Sequence, residues 1–379
     1  MNYSKFSTFT SQTKGRVFLE KPDKHRTCFM RDRDRIIHCE AFRKLKYKTQ
    51  VFVYHEGDYY RTRLSHSIEV SQLARSISKI FKVNDDLAEA IALAHDVGHT
   101  PFGHAGEEAL NNKLDKIGGF NHNFQALKIL TLLEKKYFGF DGLNLSWETL
   151  EGILKHNGPV KEKIPSYIYK FVNFFEGDLG LNASFEGQIA SISDDIAYNN
   201  NDIDDGLHAE LFAIDELENV TLVKENLKKI KIKNYKDDNY KLRHELVRLL
   251  INTMINDLVN NTKLNILHLK PKDVFDIIRI KKNIVSFSNE MVQKEKELRI
   301  FLKKKMYNHI TVKTMTFKAK KIISELFDLF VEEFQLLPKN WRNFETKNEL
   351  MLNVADYISG LTDKNAISIH NKFFNLYNI

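Results

Sequence analysis

Four side chains in this sequence have the types and spacing to hold a divalent ion: His66, the adjacent pair His95 and Asp96, and an aspartate at 194 or 195. Imidazole nitrogen and carboxylate oxygen with no thiolate nearby suit Mg²⁺, Mn²⁺, Fe²⁺, Ni²⁺ or Zn²⁺, and the residue types alone do not rank these ions. An ion held this way with positions left open polarises a phosphoryl oxygen and positions a water. Taken singly, each histidine reads as a satisfied core residue and each His-Asp dipeptide as chance. Only the joint pattern points to a metal.

The elements that must position these residues are legible as helices. Residues 64–82 carry an apolar stripe of Val70, Leu73, Ile77 and Phe81, and counting back four from Val70 reaches His66. A second helix is expected from about Asp86 to Val97, with Asp86 and Glu89 spaced as a capping box. Its apolar face is Leu87, Ala90, Ile91 and Ala94, and the next position on that face is His95. Successive helical side chains point about 100° apart, so His95 and Asp96 can share one ion only where the helix ends. Gly98 and Pro101 supply that end. A third helix runs from about Phe185 to Asn199 with Ile189, Ile192 and Ile196 on one side. Asp194, Tyr198 and Asp202 fall at i, i+4 and i+8 on roughly the other side, provided the helix continues that far. Periodicity leaves Asp194 and Asp195 both open as the ligand.

Composition agrees with an all-α fold. The 379 residues are 42% hydrophobic and 28% charged, with 6 prolines and 16 glycines, so few turns interrupt the helical periodicity. The formal charge of +7 favours anionic partners, or simply keeps a helical protein soluble. Cys28 and Cys39 are too few for a disulfide framework or a zinc ribbon. No apolar leader and no run of about 18–20 apolar residues is present, so a cytoplasmic location and no membrane partner are expected. The stretch to Lys14 is polar and reads as loosely ordered. Within 26–50, Asp32 and Asp34 alternate with arginines, so part of that charge is expected to pair with itself. Residues 220–320 are lysine-rich with helical periodicity, and KAKKIISELFDLFVEEFQLL is a strong amphipathic helix ended by Pro338. The expected partition is one unit over 1–379, with a catalytic core at 62–205, a lysine-rich helical region packed on it at 215–345, and a C-terminal segment at 346–379.

Read together, RTRLSHSIEV, ALAHDVGHTPFGHAGE and SISDDIAYNNND resemble the H…HD…D signature of the HD phosphohydrolase superfamily. More narrowly, the chain resembles the bacterial dGTP triphosphohydrolase family through RDRDRIIH, FRKLKYKTQVF, GHTPFGHAGE, EGILKHNGP and DYISGLTDKNA. The generic signature is weakly specific; the long GHTPFGHAGE string together with DDIAY is highly specific. The resemblance implies hydrolysis of a deoxynucleoside triphosphate to deoxynucleoside and tripolyphosphate with a divalent ion, in a helical fold. It selects Asp194 over Asp195 as the fourth ligand, because the family's aspartate precedes a tyrosine by four and an acid by eight. It implies that His104 and Glu107 form a catalytic dyad. It places His122 near the phosphates, with His99 close to the doublet in sequence, and it implies that Gln50, Tyr198 and Asp202 read the deoxyribose. Arg43, Lys46, Arg61 and Arg63 lie in the matching segments and are candidate phosphate donors. It further implies a homo-oligomer. One departure is plain: Lys364 and Asn365 stand where an arginine and an aromatic residue are usual.

Two other readings compete. A different HD hydrolase, such as a nucleotidase, would release orthophosphate instead. A nucleotide-binding or single-stranded nucleic-acid-binding protein with little turnover would use the lysine-rich stretch, and single-stranded DNA or a nucleotide is also a candidate effector of an enzyme.

Overall fold

The computed structural model describes residues 4–51, 60–161, 164–230 and 238–375. Residues 231–237 of the lysine-rich stretch, and Phe52 at the end of FRKLKYKTQVF, lie outside the described residues. The fold is all-α. Among the described residues the only β pairing is an isolated antiparallel bridge between Thr49 and Thr62.

Helices α1 (Cys28–Ile37) and α2 (Glu40–Lys44) lead to α3 (Arg63–Phe81) and α4 (Asp85–Ala94). A reciprocal cap starts α3: the Thr62 hydroxyl accepts from the Ser65 amide, and the Ser65 hydroxyl accepts from the Thr62 amide. The expected capping box on α4 does not form. Asn84 is the cap, accepting from the Leu87 amide, while Asp86 and Glu89 pair with Arg33 and Arg75. The helix also stops at Ala94, three residues before the expected end, so His95 and Asp96 fall in the turn that follows. Leu87, Ala88, Ala90, Ile91, Ala92, Leu93 and Ala94 are all buried, and the small alanines let α1, α3, α7 and α9 close around α4.

The chain continues through α5 (His104–Leu114), α6 (His122–Lys128), α7 (Trp147–Leu154), α8 (Ser166–Phe174) and α9 (Phe185–His208). Helix α9 runs nine residues past the expected Asn199, which brings Asp194, Tyr198 and Asp202 onto one continuous helix. After α10 (Ile214–Leu217) and α11 (Thr221–Lys229), the long α12 (Asn239–Leu269) packs on α9, and its buried residues include Leu246, Leu250, Met254 and Leu258, spaced four apart. Helices α13 (Val274–Arg279) and α14 (Asn289–Leu302) precede α15 (Ile310–Glu332), α16 (Lys347–Ser359) and α17 (Asp363–Phe374). The expected amphipathic helix before Pro338 is thus α15, begun eight residues earlier and ended at Glu332.

The core falls into two clusters. The larger surrounds α4, α9 and α12. The smaller joins Phe102, Leu110 and Leu114 of the α5 segment to Ile323, Phe327 and Phe330 of α15 and to Val354 and Ile358 of α16. Burying each leucine of α5 stabilises by about 1.5–3 kcal/mol, and that gain requires α15.

The expectation for the N-terminus changes, and the partial self-pairing expected within 26–50 holds at Asp34. The N-terminal segment is pinned, because Thr8 donates through its amide and hydroxyl to buried Glu186 at 2.9 Å each, and Thr13 and Lys14 bond Glu148. Asp34 does pair locally with Arg33 and Arg26, but Asp32 is buried against Arg16 at 2.6 Å and accepts from Ser146 and Thr149. No described helix is long and apolar enough to cross a membrane.

Candidate metal and catalytic site

Helices α3 and α9 and the turns after α4 and α7 bring three histidines and two aspartates together. The His66 Nε2 lies 2.7 Å from Asp194 Oδ1, and His156 Nε2 lies 3.1 Å from Asp194 Oδ2. His95 Nε2 is 3.7 Å from Asp194 Oδ1 and 3.5 Å from Asp96 Oδ1. His66, His95 and Asp96 offer ligand atoms all within 4.8 Å of one another, as do His95, His156 and Asp194.

The donor chemistry fits a divalent ion. His95 Nδ1 is 2.6 Å from the carbonyl of Ala92, which can only accept, so the proton sits on Nδ1 and the Nε2 lone pair faces the cluster. That Nε2 and Asp96 Oδ2 are buried and without a hydrogen-bond partner. Burial lowers the His95 pKa and keeps the ring neutral, as a ligand must be. Burial opposes charge on Asp96 and Asp194 too, but Arg63 beside the first and the histidines around the second hold both carboxyls well below the usual range. Of the adjacent pair on α9, Asp194 enters the cluster, whereas Asp195 pairs with Arg299 at 2.6 Å.

A second group adjoins the first. His99 Nε2 is 3.1 Å from Asp96 Oδ1, and its ring stacks on His122 at 4.0 Å between centroids. Glu107 Oε1 accepts from the His122 amide at 2.9 Å and faces His122 Nδ1 at 2.8 Å, while its Oε2 faces His104 Nδ1 at 3.2 Å. Burial opposes the Glu107 charge, yet the two histidines hold its carboxyl far below its ordinary value of 4.5. The carboxylate is sheltered, with 16% of its side chain exposed, whereas His104 presents 67% of its side chain to solvent. A contact path therefore runs from Asp96 through His99 and His122 to Glu107 and His104.

Two glycines make this juxtaposition possible. A Cβ on Gly98 would lie 2.0 Å from the His122 carbonyl oxygen, so only glycine lets the start of α6 rest against the turn after Asp96. Gly103, with φ +57° and ψ −131°, adopts a backbone that side chains exclude, and its Cβ would lie 2.6 Å from Arg63 Nη2.

The expected sugar readers form a third group. Tyr307 donates to Tyr198 Oη at 2.7 Å and also bonds Asp202. Burial pushes the Asp202 carboxyl up to about 7. Gln50 has a buried Oε1 without a partner among the described residues. The phosphate donors fare unevenly. Arg63 is buried beside the cluster, its Nη1 bonding Asp96 at 2.9 Å. Arg61 is taken up by Glu69, Asp204 and Asp205 at 2.8–3.2 Å. Exposed Lys46 lies over the Tyr47 ring, and Arg43 lines a separate cavity of about 780 Å³ with His38, Lys44, Lys136 and Trp341. No residue of the His66–Asp194 cluster lines that cavity.

Sequence reasoning missed two residues. His156 stands in EGILKHNGP, a segment quoted for the resemblance, and its place just past the end of α7 is the signal that it is free to face a site. Tyr307 lies 109 positions from Tyr198 inside a lysine-rich stretch and carries no local signal.

Comparison with known proteins gives the family. Residues 63–199 match the HD domain, and residues 285–372 match a phosphohydrolase-associated domain. A deoxyguanosinetriphosphate triphosphohydrolase-like protein of Parvibaculum lavamentivorans is 45% identical over 98% of this chain and 96% of its own length. A protein of the same description from Bartonella quintana is 45% identical over 98% and 96%, and one from Roseobacter denitrificans 44% over 96% and 95%. The chain therefore belongs to the deoxyguanosinetriphosphate triphosphohydrolase-like family of HD-domain phosphohydrolases.

Proposed function

We propose that this chain hydrolyses deoxynucleoside triphosphates to the deoxynucleoside and inorganic tripolyphosphate with a divalent ion. The observation that carries this reading is the contact path from Asp96 through His99 and His122 to Glu107 and His104, which sets a proton-exchanging pair against an ion-binding cluster. It stands in a chain whose relatives bear the name of a triphosphohydrolase-like protein. His66, His95, Asp96 and Asp194 would hold the ion, with His156 beside them. When bound, it withdraws charge from a phosphoryl oxygen and acidifies water.

In the reaction a water oxygen bonds to the α-phosphorus and the bond to the 5′ oxygen breaks. The 5′ oxygen leaves with the electron pair and gains a proton, and the attacking water loses one. Glu107 engages His104 Nδ1, so Nε2 is the nitrogen free to exchange a proton with substrate or water. Arg63 keeps Asp96 ionised and oriented. Asp202 and Gln50 bond the 3′-hydroxyl, and the Tyr198 ring, tied through Tyr307, leaves no room for a 2′-hydroxyl.

The test is to incubate the protein with each dNTP and Mg²⁺ or Mn²⁺ in ¹⁸O-water and resolve the products by ion-exchange chromatography. Tripolyphosphate carrying one ¹⁸O, with an unlabelled deoxynucleoside, supports the reading, and its loss in Asp96→Ala and His104→Ala assigns the site. Orthophosphate as product moves the chain to another branch of the superfamily. No turnover with any single dNTP or mixture refutes the reading and favours a binding role.

A further inference from the structure

The turn between α16 and α17 reaches the catalytic segment from the far end of the chain. Asp363, the first residue of α17, is fully buried although it is a carboxylate. Its Oδ2 accepts from the Thr49 amide at 2.9 Å and from the Thr49 hydroxyl, and its Oδ1 accepts from the Phe102 amide at 2.9 Å. The partners lie 314 and 261 positions away, so one carboxylate joins three distant segments. Buried Lys48 repeats the connection in reverse, donating to the His99 carbonyl and, at 2.8 Å, to the Ser359 carbonyl. Gln125 of α6 adds a third tie, donating to Ser359 Oγ at 3.0 Å and Asp356 Oδ1 at 3.1 Å.

What Asp363 holds is an improbable backbone. Phe102 has φ +62°, a conformation that non-glycine residues rarely adopt, and Gly103 follows at φ +57°. His104 comes next, as the first residue of α5. Its ring is mostly exposed and is held by Glu107 and the edge of His99, while the backbone of Phe102 and Gly103 sets where the residue enters α5. The other arm, Thr49, immediately precedes Gln50.

We infer that Asp363 is a positioning residue for the reaction: it clamps the Phe102–Gly103 turn that presents His104 and the Thr49 backbone that presents Gln50. Through it, the phosphohydrolase-associated region at 285–372 reaches the dyad without contributing a catalytic group. The inference rests on the proposed function for its turnover arm only.

The experiment compares wild type with Asp363→Ala, Asp363→Asn and Thr49→Val by hydrogen–deuterium exchange, steady-state kinetics and Mn²⁺ titration. In Asp363→Ala, the peptide spanning residues 99–106 is expected to exchange about tenfold faster or more, while α3, α4 and α9 are unchanged. The same variant loses about ten- to a hundredfold in kcat, as for hydrogen bonds to a charged group, with Mn²⁺ affinity retained and KM raised through the loosened Gln50. Asp363→Asn keeps one acceptor oxygen and is expected to recover part of both effects. Should Asp363→Ala not fold, Thr49→Val removes a single donor and carries the same signs at smaller size. A wild-type kcat in a folded Asp363→Ala, or loosening spread equally over α3, α4 and α9, overturns the inference. Should the wild-type protein turn over no dNTP, the proposed function fails while the local exchange of residues 99–106 still decides whether the clamp exists.

Discussion

Glu107→Gln isolates what the carboxylate does for His104. In the wild-type protein Oε1 takes both donors of His122, the amide at 2.9 Å and Nδ1 at 2.8 Å, and Oε2 takes His104 Nδ1 at 3.2 Å. Glutamine has one acceptor oxygen, and placing it on the two His122 donors turns its NH₂ toward His104. The amide can then only donate, so His104 must accept on Nδ1 and carry its proton on Nε2, the reverse of the arrangement the reaction uses. The imidazolium also loses its counter-charge. Positioned acid–base groups contribute about 10²–10⁴-fold, so kcat is expected to fall in that range, with KM and Mn²⁺ affinity changed by little, because the His122 contacts survive. The assay is deoxynucleoside release by chromatography under saturating dNTP, for wild type, Glu107→Gln, His104→Ala and the double variant. Since Glu107 acts through His104, adding Glu107→Gln to His104→Ala is expected to cost little more. Full additivity of the two losses, or a wild-type kcat in Glu107→Gln, refutes the reasoning. Stability supplies an independent sign. The Glu107 pKa is depressed on folding, so its contribution is fully present above its ordinary value of 4.5 and is lost as pH falls through the folded value. The stability gap between wild type and Glu107→Gln is therefore widest near neutrality and closes in acid.

Three further outcomes follow from the same geometry. Gly103→Ala places a Cβ 2.6 Å from Arg63 Nη2 at φ +57° and ψ −131°, so denaturant unfolding is expected to show a loss of about 1–3 kcal/mol together with a reduced kcat; unchanged values of both count against the role given to this turn. Mn²⁺ at about 100 times its Kd is expected to stabilise the wild-type protein by about 2.7 kcal/mol in thermal or denaturant unfolding, an effect that Asp194→Asn abolishes. His156→Ala is expected to weaken Mn²⁺ binding by about 10–100-fold, and equal stabilisation of all three proteins would place the ion elsewhere.

The helices were readable because their periodicity is local, whereas the choice of Asp194, 128 positions from His66, came only with the resemblance. A stripe at helical spacing placed His66 on α3, and the Gly98–Pro101 signal placed His95 and Asp96 at a helix end, which the structure puts even earlier, at Ala94. What was not readable depends on partners distant in the chain. Asp86 and Glu89 match a capping box by spacing, but Arg33 and Arg75 claim them and Asn84 caps the helix. The polar N-terminus reads as loose until Glu186, 178 positions on, is seen to bind Thr8. Arg61 reads as a phosphate donor until Glu69, Asp204 and Asp205 surround it. His156 had a weak signal that went unused, and Tyr307 had none.

The same dependence on distant partners means that the proposed chemistry would draw on most of the chain. The HD match covers 63–199 and so contains the metal cluster, the dyad and their connecting histidines. Yet α5, which carries His104 and Glu107, buries Leu110 and Leu114 against α15, outside that match. The turn before α5 is bonded by Asp363, and the turn before it by Lys48, which bridges to Ser359. Cut at the end of the HD match, the helix bearing the dyad would expose its apolar face and its leading turn would lose its anchor. The candidate metal ligands depend less on that region: α3, α4 and α9 pack on one another within the larger core, and what α9 would lose is its last turns and its contact with α12. The proposed ion binding and the proposed turnover therefore rest on different contacts: the first on the helices that carry the H…HD…D residues, and the second also on what the C-terminal helices do to the four residues between His99 and His104.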